Sequence, residues 1–113
     1  MTDEDRAVVD LLAGEGEGPL WGTASDDLNA TLLAWPPGAG TPEHVNDERD
    51  VLLVAVAGSG TLTIDGEGLP IAAGGAAMIA KGRSRRVEAG PDGIRYLTVH
   101  RRRGGLAIAR RSG

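Results

Sequence analysis

Glycine and proline interrupt this chain so often that a long helix cannot form. The 113 residues include 18 glycines and 6 prolines, which end or kink helices. Short apolar segments lie between them, for example 28–35 and 76–80, and they recur about every ten residues. Evenly spaced strands in a chain of this length are typical of an antiparallel sandwich or barrel. We therefore predict a single all-β domain that spans residues 1–113.

Clusters of glycine mark where we expect these strands to end. We place turns at 58–60, 66–68 and 90–93. The segment 51–57 is apolar without alternation, which indicates a strand that is covered on both sides. The predicted strands are 20–24, 28–35, 51–57, 61–65, 69–72, 76–80, 85–89 and 94–100.

The N-terminal segment 3–13 has the pattern of a short helix. Thr2 is placed as its N-cap, acidic residues occupy its first turn, and Gly14 follows its last turn. The apolar residues that would share one face are Val8, Leu11 and Leu12. We therefore predict one short helix before the strands.

The last predicted strand alternates between two faces. Leu97 and Val99 lie on one face, which we predict to be core because both residues are apolar. Tyr96, Thr98 and His100 lie on the other face. His100 is therefore expected to meet solvent or an interface.

Composition limits the environment and the chemistry of the protein. The chain has no cysteine, which excludes disulfides, thiolate metal ligands and thiol nucleophiles. Its acidic N-terminus is not followed by an apolar run of signal-peptide length, and the longest apolar run, 51–57, is too short to span a bilayer. We predict a soluble, cytoplasmic protein that contacts no membrane.

The two parts of the chain carry opposite charge. Residues 1–80 contain two basic and fourteen acidic side chains, whereas residues 81–113 contain ten basic and two acidic ones. A nucleic acid attracted to the basic part would also meet the acidic part, and no RNA-binding aromatic motif accompanies the arginines. We therefore predict no nucleic-acid partner.

Two segments resemble the sequence motifs of the cupin family. In the first motif of the family, five residues separate a glycine from a His-x-His pair. Here five residues separate Gly38 from His44, and Gly58 closes the segment. In the second motif, Gly74 is followed at the family's spacing by a further glycine and then by Arg85.

The resemblance extends over residues 30–100 and implies a fold. That fold is an antiparallel double-stranded β-helix, the cupin jelly-roll barrel, with its core in 20–103 and the short helix before it. Small cupins commonly pair through sheet edges. We therefore predict a homodimer.

The metal ligands of the family are largely missing from this sequence. Metal-binding cupins hold a divalent ion with both His and the Glu of the first motif and the His of the second. Here only His44 is present, because Asn46 replaces the second His, Asp50 or Val51 falls at the Glu position, and Arg85 replaces the last His. A guanidinium has no lone pair for a cation and repels it. We predict a pocket without a metal or other cofactor.

Arg85 offers a different chemistry from the histidine that it replaces. Its planar guanidinium matches a carboxylate or phosphate in two-point contact, and it can also pair with Asp50. The alternative is that Arg85 points outward as one of several surface arginines. His44 and Asn46, two apart on an extended segment, would face the same side. Cupin sugar epimerases use a barrel His and a Tyr as proton carriers, and His44 and Tyr96 are the matching residue types here. The ligand-binding residues that we predict are His44, Asn46, Asp50, Arg85 and Tyr96.

These features favour a non-catalytic protein that binds or senses a small ligand, preferably an anion. An alternative is a metal-dependent enzyme, a dioxygenase or an isomerase, in which His44 binds a divalent transition metal together with Asp50 or Glu48. A further alternative is a structural or oligomerisation domain.

Overall fold

The computed structural model describes residues 8–102, and these residues form seven antiparallel strands and no helix. The part of the chain described in this way therefore contains no helix that is able to cross a membrane. The predicted all-β fold is confirmed. The strands are β1 (Gly18–Ala24), β2 (Leu28–Trp35), β3 (His44–Val45), β4 (Val51–Ile64), β5 (Glu67–Ala72), β6 (Ala76–Ile79) and β7 (Ser84–Arg101).

Two long strands, β4 and β7, form the framework of the fold. They pair with each other from Val51 opposite His100 to Ile64 opposite Arg85. The first half of β4 also pairs with β6, and its second half also pairs with β5. On the other side, β7 pairs with β3 near its start and with β2 near its end, and β1 extends the sheet beyond β2. The two long strands thus connect two halves of one sheet.

The turns predicted at 58–60 and 90–93 are wrong. Each of these segments lies inside a continuous strand, and the pairing of β4 with β7 is irregular around Gly58 and Gly60. Gly58 has a φ of +73°, and a Cβ at this position would collide with the Gly93 carbonyl. A Cβ at Gly60 would collide with the carbonyl of Glu88. These glycines therefore allow two bent strands to approach closely, and they do not reverse the chain.

The turn between β4 and β5 lies one residue earlier than predicted. Asp65 and Gly66 form it, and both have positive φ values, +50° and +86°. This pair of left-handed residues is typical of a two-residue type I′ hairpin turn. The Asp65 carboxylate accepts hydrogen bonds from the Ser84 amide at 2.8 Å and from Arg83 Nε at 2.7 Å. The hairpin is thereby attached to the start of β7.

The hydrophobic core lies between the inward faces of the strands. The prediction that Leu97 and Val99 are the core residues of β7 is wrong. Tyr96 pairs with Leu33 and Ala55 and is only 2% exposed. Leu97 and Val99 therefore lie on the outer face, where both are half-buried. Strand alternation identifies residues that share a face, but only the neighbouring strands decide which face is inward. The fully buried core cluster consists of Leu53, Leu62, Ile79, Val87, Ala89, Ile94 and Tyr96.

The predicted N-terminal helix is wrong over the residues that the structure describes. Residues 10–13 form a turn, in which Asp10 Oδ1 accepts a hydrogen bond from the Leu12 amide at 2.9 Å and the Asp10 carbonyl accepts one from the Ala13 amide at 3.2 Å. The Arg95 guanidinium donates to the carbonyls of residues 11, 13 and 14, each at 3.0 Å. These bonds replace those of a helix. The proposed N-cap and first turn, residues 2–5, lie outside the described residues.

Candidate functional site

A cavity of about 270 Å³ opens between strands β2, β3, β4 and β7. Its size suits a small organic molecule rather than a nucleotide or a polymer. Most of its wall is apolar, and a few polar side chains converge on it. The lining residues are Leu33, Thr41, Pro42, His44, Leu53, Arg85, Val87, Tyr96 and Thr98.

His44 and Arg85 lie directly opposite each other in the antiparallel pair of β3 and β7. Opposite residues of an antiparallel pair point to the same side, so both side chains reach the cavity. His44 is exposed and lies at the mouth, whereas Arg85 is half-buried. The Gly82 amide donates to the Asn46 carbonyl at 2.8 Å, which holds the short strand β3 against the start of β7.

The Arg85 guanidinium has no partner within the described part of the chain. Among residues 8–102 it makes no hydrogen bond and no ion pair. Burial lowers the pKa of Arg85, and the nearby Tyr96 opposes that shift. A guanidinium nevertheless stays protonated at neutral pH because its intrinsic pKa is so high. The cavity is therefore lined by a positive charge that no side chain of residues 8–102 neutralises.

Tyr96 presents a neutral phenol to the same cavity. Trp35 Nε1 donates a hydrogen bond to the Tyr96 hydroxyl oxygen at 3.0 Å. Burial raises the pKa of Tyr96, and the Trp35 hydrogen bond and the Arg85 charge lower it by less. Since an ordinary tyrosine already titrates near pH 10, Tyr96 keeps its proton at neutral pH.

The two threonines of the cavity are engaged with the backbone. Thr41 Oγ1 accepts a hydrogen bond from the Val87 amide at 3.0 Å. Thr98 Oγ1 donates to the Thr31 carbonyl at 3.4 Å. Both hydroxyls fasten neighbouring segments together, so they fix the shape of the wall around Arg85.

Solved structures of other proteins share this fold. A cupin protein from Bacteroides fragilis superposes with a TM-score of 0.70 at 25% identity, over 84% of this chain and 85% of that chain. A double-stranded β-helix protein from Klebsiella pneumoniae superposes with a TM-score of 0.74 at 14% identity, over 86% and 90%. The chain folds as a small cupin jelly roll.

Other comparisons of this cupin add no further assignment. A structure from Thermotoga maritima described as a predicted oxalate decarboxylase superposes with a TM-score of 0.59 at 23% identity, over 67% of each chain. No family model and no curated protein matches the sequence. These likenesses establish the fold.

The cupin barrel brings three of the five predicted ligand-binding residues together, and they are His44, Arg85 and Tyr96. Asn46 and Asp50 do not line the cavity. Asn46 Oδ1 accepts hydrogen bonds from the backbone amides of residues 48 and 49, at 2.9 and 3.1 Å. Asp50 Oδ1 accepts one from the Lys81 amide at 2.9 Å. Because β3 ends at Val45, the alternation expected between residues 44 and 46 does not continue.

Trp35 and the two threonines were missed by the sequence analysis. Trp35 shares a face with Tyr96 through its strand β2, which pairs with β7. The alternation of β2 and β7 is the signal that could have found Trp35 and Thr98, once Tyr96 was recognised as facing inward. Thr41 lies in the segment before β3, where no alternation marks it.

The cavity residues do not fit the divalent metal of metal-binding cupins. Within the described part of the chain, no group of three or more His, Cys, Asp or Glu side chains is placed to hold a metal ion. His44 is the single imidazole in the lining, no carboxylate accompanies it, and Arg85 lies opposite. A guanidinium at that position repels a cation and can attract an anion.

Proposed function

We propose that this cupin binds a small organic anion in its barrel cavity without transforming it, and that Arg85 is the charged contact. The observation that supports the proposal is the half-buried guanidinium, which faces the cavity and has no partner among residues 8–102. A charged group that is partly removed from water is unfavourable unless an opposite charge or hydrogen-bond acceptors compensate it. A carboxylate supplies both, with two parallel hydrogen bonds.

The remaining wall supports a ligand that is short and mostly apolar. Leu33, Leu53 and Val87 contribute aliphatic surface, and the volume of about 270 Å³ suits a small acid. His44 lies at the mouth, where it can add a hydrogen bond to the same anion.

Binding is favoured over turnover by the chemistry of the lining side chains. General acid–base catalysis usually requires a positioned acid and base, and nucleophilic catalysis requires an activated Ser, Cys, Lys or carboxylate. The described lining has one imidazole and one neutral phenol, with no carboxylate and no serine. This set is suited to hold and orient an anion.

The test measures thermal stabilisation by a panel of short carboxylates, namely acetate, propionate, benzoate and succinate. A ligand that binds only the folded state stabilises it by about 2.7 kcal/mol at a hundred times its Kd. We expect at least one acid to raise the midpoint of wild-type protein and to leave that of Arg85→Ala unchanged.

Arg86→Ala is the matched control for this test. Arg86 follows Arg85 on β7, is exposed, and does not line the cavity, so its removal deletes the same charge outside the site. The control should keep the ligand-induced shift. An equal shift in Arg85→Ala, or no shift in wild type with any acid, would contradict the proposal.

A further inference from the structure

The hydroxyl group of Tyr96, a residue that lines the cavity, has an unused donor within the described part of the chain. A phenolic oxygen donates one hydrogen bond and accepts others. Trp35 Nε1 fills an acceptor position of Tyr96 at 3.0 Å. Within residues 8–102, no group accepts the Tyr96 proton. Tyr96 is only 2% exposed, so an unpaired donor on this residue is unfavourable.

The direction of that donor is restricted by its surroundings. Tyr96 belongs to the buried core cluster, and the packed neighbours Leu53 and Ile94 are apolar. The cavity is the space that Tyr96 shares with Arg85 and His44. The indole hydrogen bond also makes the phenol a stronger donor, since hydrogen bonds in a chain polarise one another.

Arg85 and Tyr96 act on one small space although they lie on different halves of β7. The pairing of β7 with β4 is irregular near Gly93, and both residues line the same cavity, where each opposes the pKa shift that burial causes in the other. A single small molecule in this cavity can therefore contact both the cation and the phenol.

Resting on the proposed function, we infer that the bound anion is a carboxylate with a second hydrogen-bond acceptor next to the carboxyl group, as in 2-oxo and 2-hydroxy acids. Arg85 binds the carboxylate, and the Tyr96 hydroxyl donates to the second oxygen. Trp35 orients that hydroxyl and is a positioning residue. A simple aliphatic acid of equal size would bind Arg85 but leave the Tyr96 proton unpaired.

The test compares pyruvate with propionate, which differ by the 2-oxo group. Isothermal titration calorimetry should give a Kd for pyruvate that is about fivefold lower than that for propionate, the size of one net hydrogen bond between neutral groups. Tyr96→Phe should remove this difference while leaving the Kd of propionate within about twofold. Arg85→Ala should abolish the binding of both acids.

A second readout serves if Tyr96→Phe does not fold. The chain has 2 tryptophans, and Trp21 pairs with Leu32 on the outer face, so Trp21→Phe leaves Trp35 as the sole indole. In that background, pyruvate should change the emission of Trp35 through its bond to Tyr96. Saturating propionate should change it much less.

The outcomes separate this inference from the proposed function. Equal affinities for the two acids, both lost in Arg85→Ala, would overturn the role of Tyr96 and leave the anion site standing. The same conclusion follows if other carboxylates bind through Arg85 but pyruvate does not. If no carboxylate binds wild-type protein, both conclusions are overturned.

Discussion

Arg85 and Arg86 are consecutive in β7, yet they lie in opposite environments: Arg85 lines the barrel cavity opposite His44, and Arg86 is exposed. This relationship follows from the alternation of side chains along an extended strand. It places one positive charge at the site and the next one in solvent. The same pair provides a variant and a matched control for several measurements.

Arg85→Met should stabilise the ligand-free protein by about 1 kcal/mol, because replacing an uncompensated, partly buried charge with an apolar side chain of similar length removes an unfavourable interaction. Urea denaturation at equilibrium measures the effect. Arg86→Met, the control, should change the free energy of unfolding by less than about 0.5 kcal/mol. A clear loss of stability in Arg85→Met would mean that the guanidinium has a structural partner.

Asp65→Asn should make the protein less stable at neutral pH but not in acid. The hydrogen bond from Arg83 is the main cause that holds the pKa of Asp65 below its usual value, and the hydrogen bond from the Ser84 amide is the second cause. A lowered folded-state pKa stabilises the fold above the unfolded pKa of about 3.9, and this stabilisation is lost as the pH falls through the folded-state value.

The measurement for Asp65 is the thermal midpoint of both proteins between pH 7 and pH 3. Asparagine tolerates the positive φ of +50°, so the exchange tests charge and not backbone strain. The difference in midpoint should be largest near pH 7 and should shrink below pH 4. A constant difference over this range would exclude the carboxylate charge as the cause.

Gly58→Ala should destabilise the protein by more than about 3 kcal/mol, because its Cβ would collide with the Gly93 carbonyl in addition to the strain of a positive φ. Gly38→Ala is the control, since Gly38 has a φ of +79° and nothing lies within 4 Å of its Cβ position. It should cost only about 1–2 kcal/mol. Equal losses of unfolding free energy in the two variants would show that close approach of β4 and β7 is unimportant.

Arg95→Lys should loosen the segment that precedes β1. The guanidinium reaches three carbonyls of this segment at 3.0 Å, and a lysine ammonium does not reproduce that fork. We expect faster cleavage by a Glu-specific protease after Glu15 and Glu17, with a loss of about 1–2 kcal/mol in unfolding free energy. Arg101→Lys, at the exposed end of β7, serves as the control. Unchanged cleavage in Arg95→Lys would show that the segment is held by other contacts.

Much of the fold could be predicted from local patterns. The strand β2 was predicted with its observed bounds, 28–35, because its apolar residues are flanked by turn signals on both sides. The resemblance carried by Gly38, His44, Gly74 and Arg85 implied the cupin jelly roll, which the similar structures support. The same spacing also pointed to His44 and Arg85, which the structure places at one cavity.

The sequence by itself therefore determined the all-β class, most strand positions and the absence of the usual cupin metal ligands, because these depend on residue type and short spacing. Only the tertiary structure decided which face of β7 is inward, and that Asn46 and Asp50 hold backbone amides outside the cavity. It also decided that Gly58 and Gly93 bend their strands, whereas Asp65 and Gly66 reverse the chain. The physical reason is that glycine permits all of these conformations, so contacts between distant strands select among them.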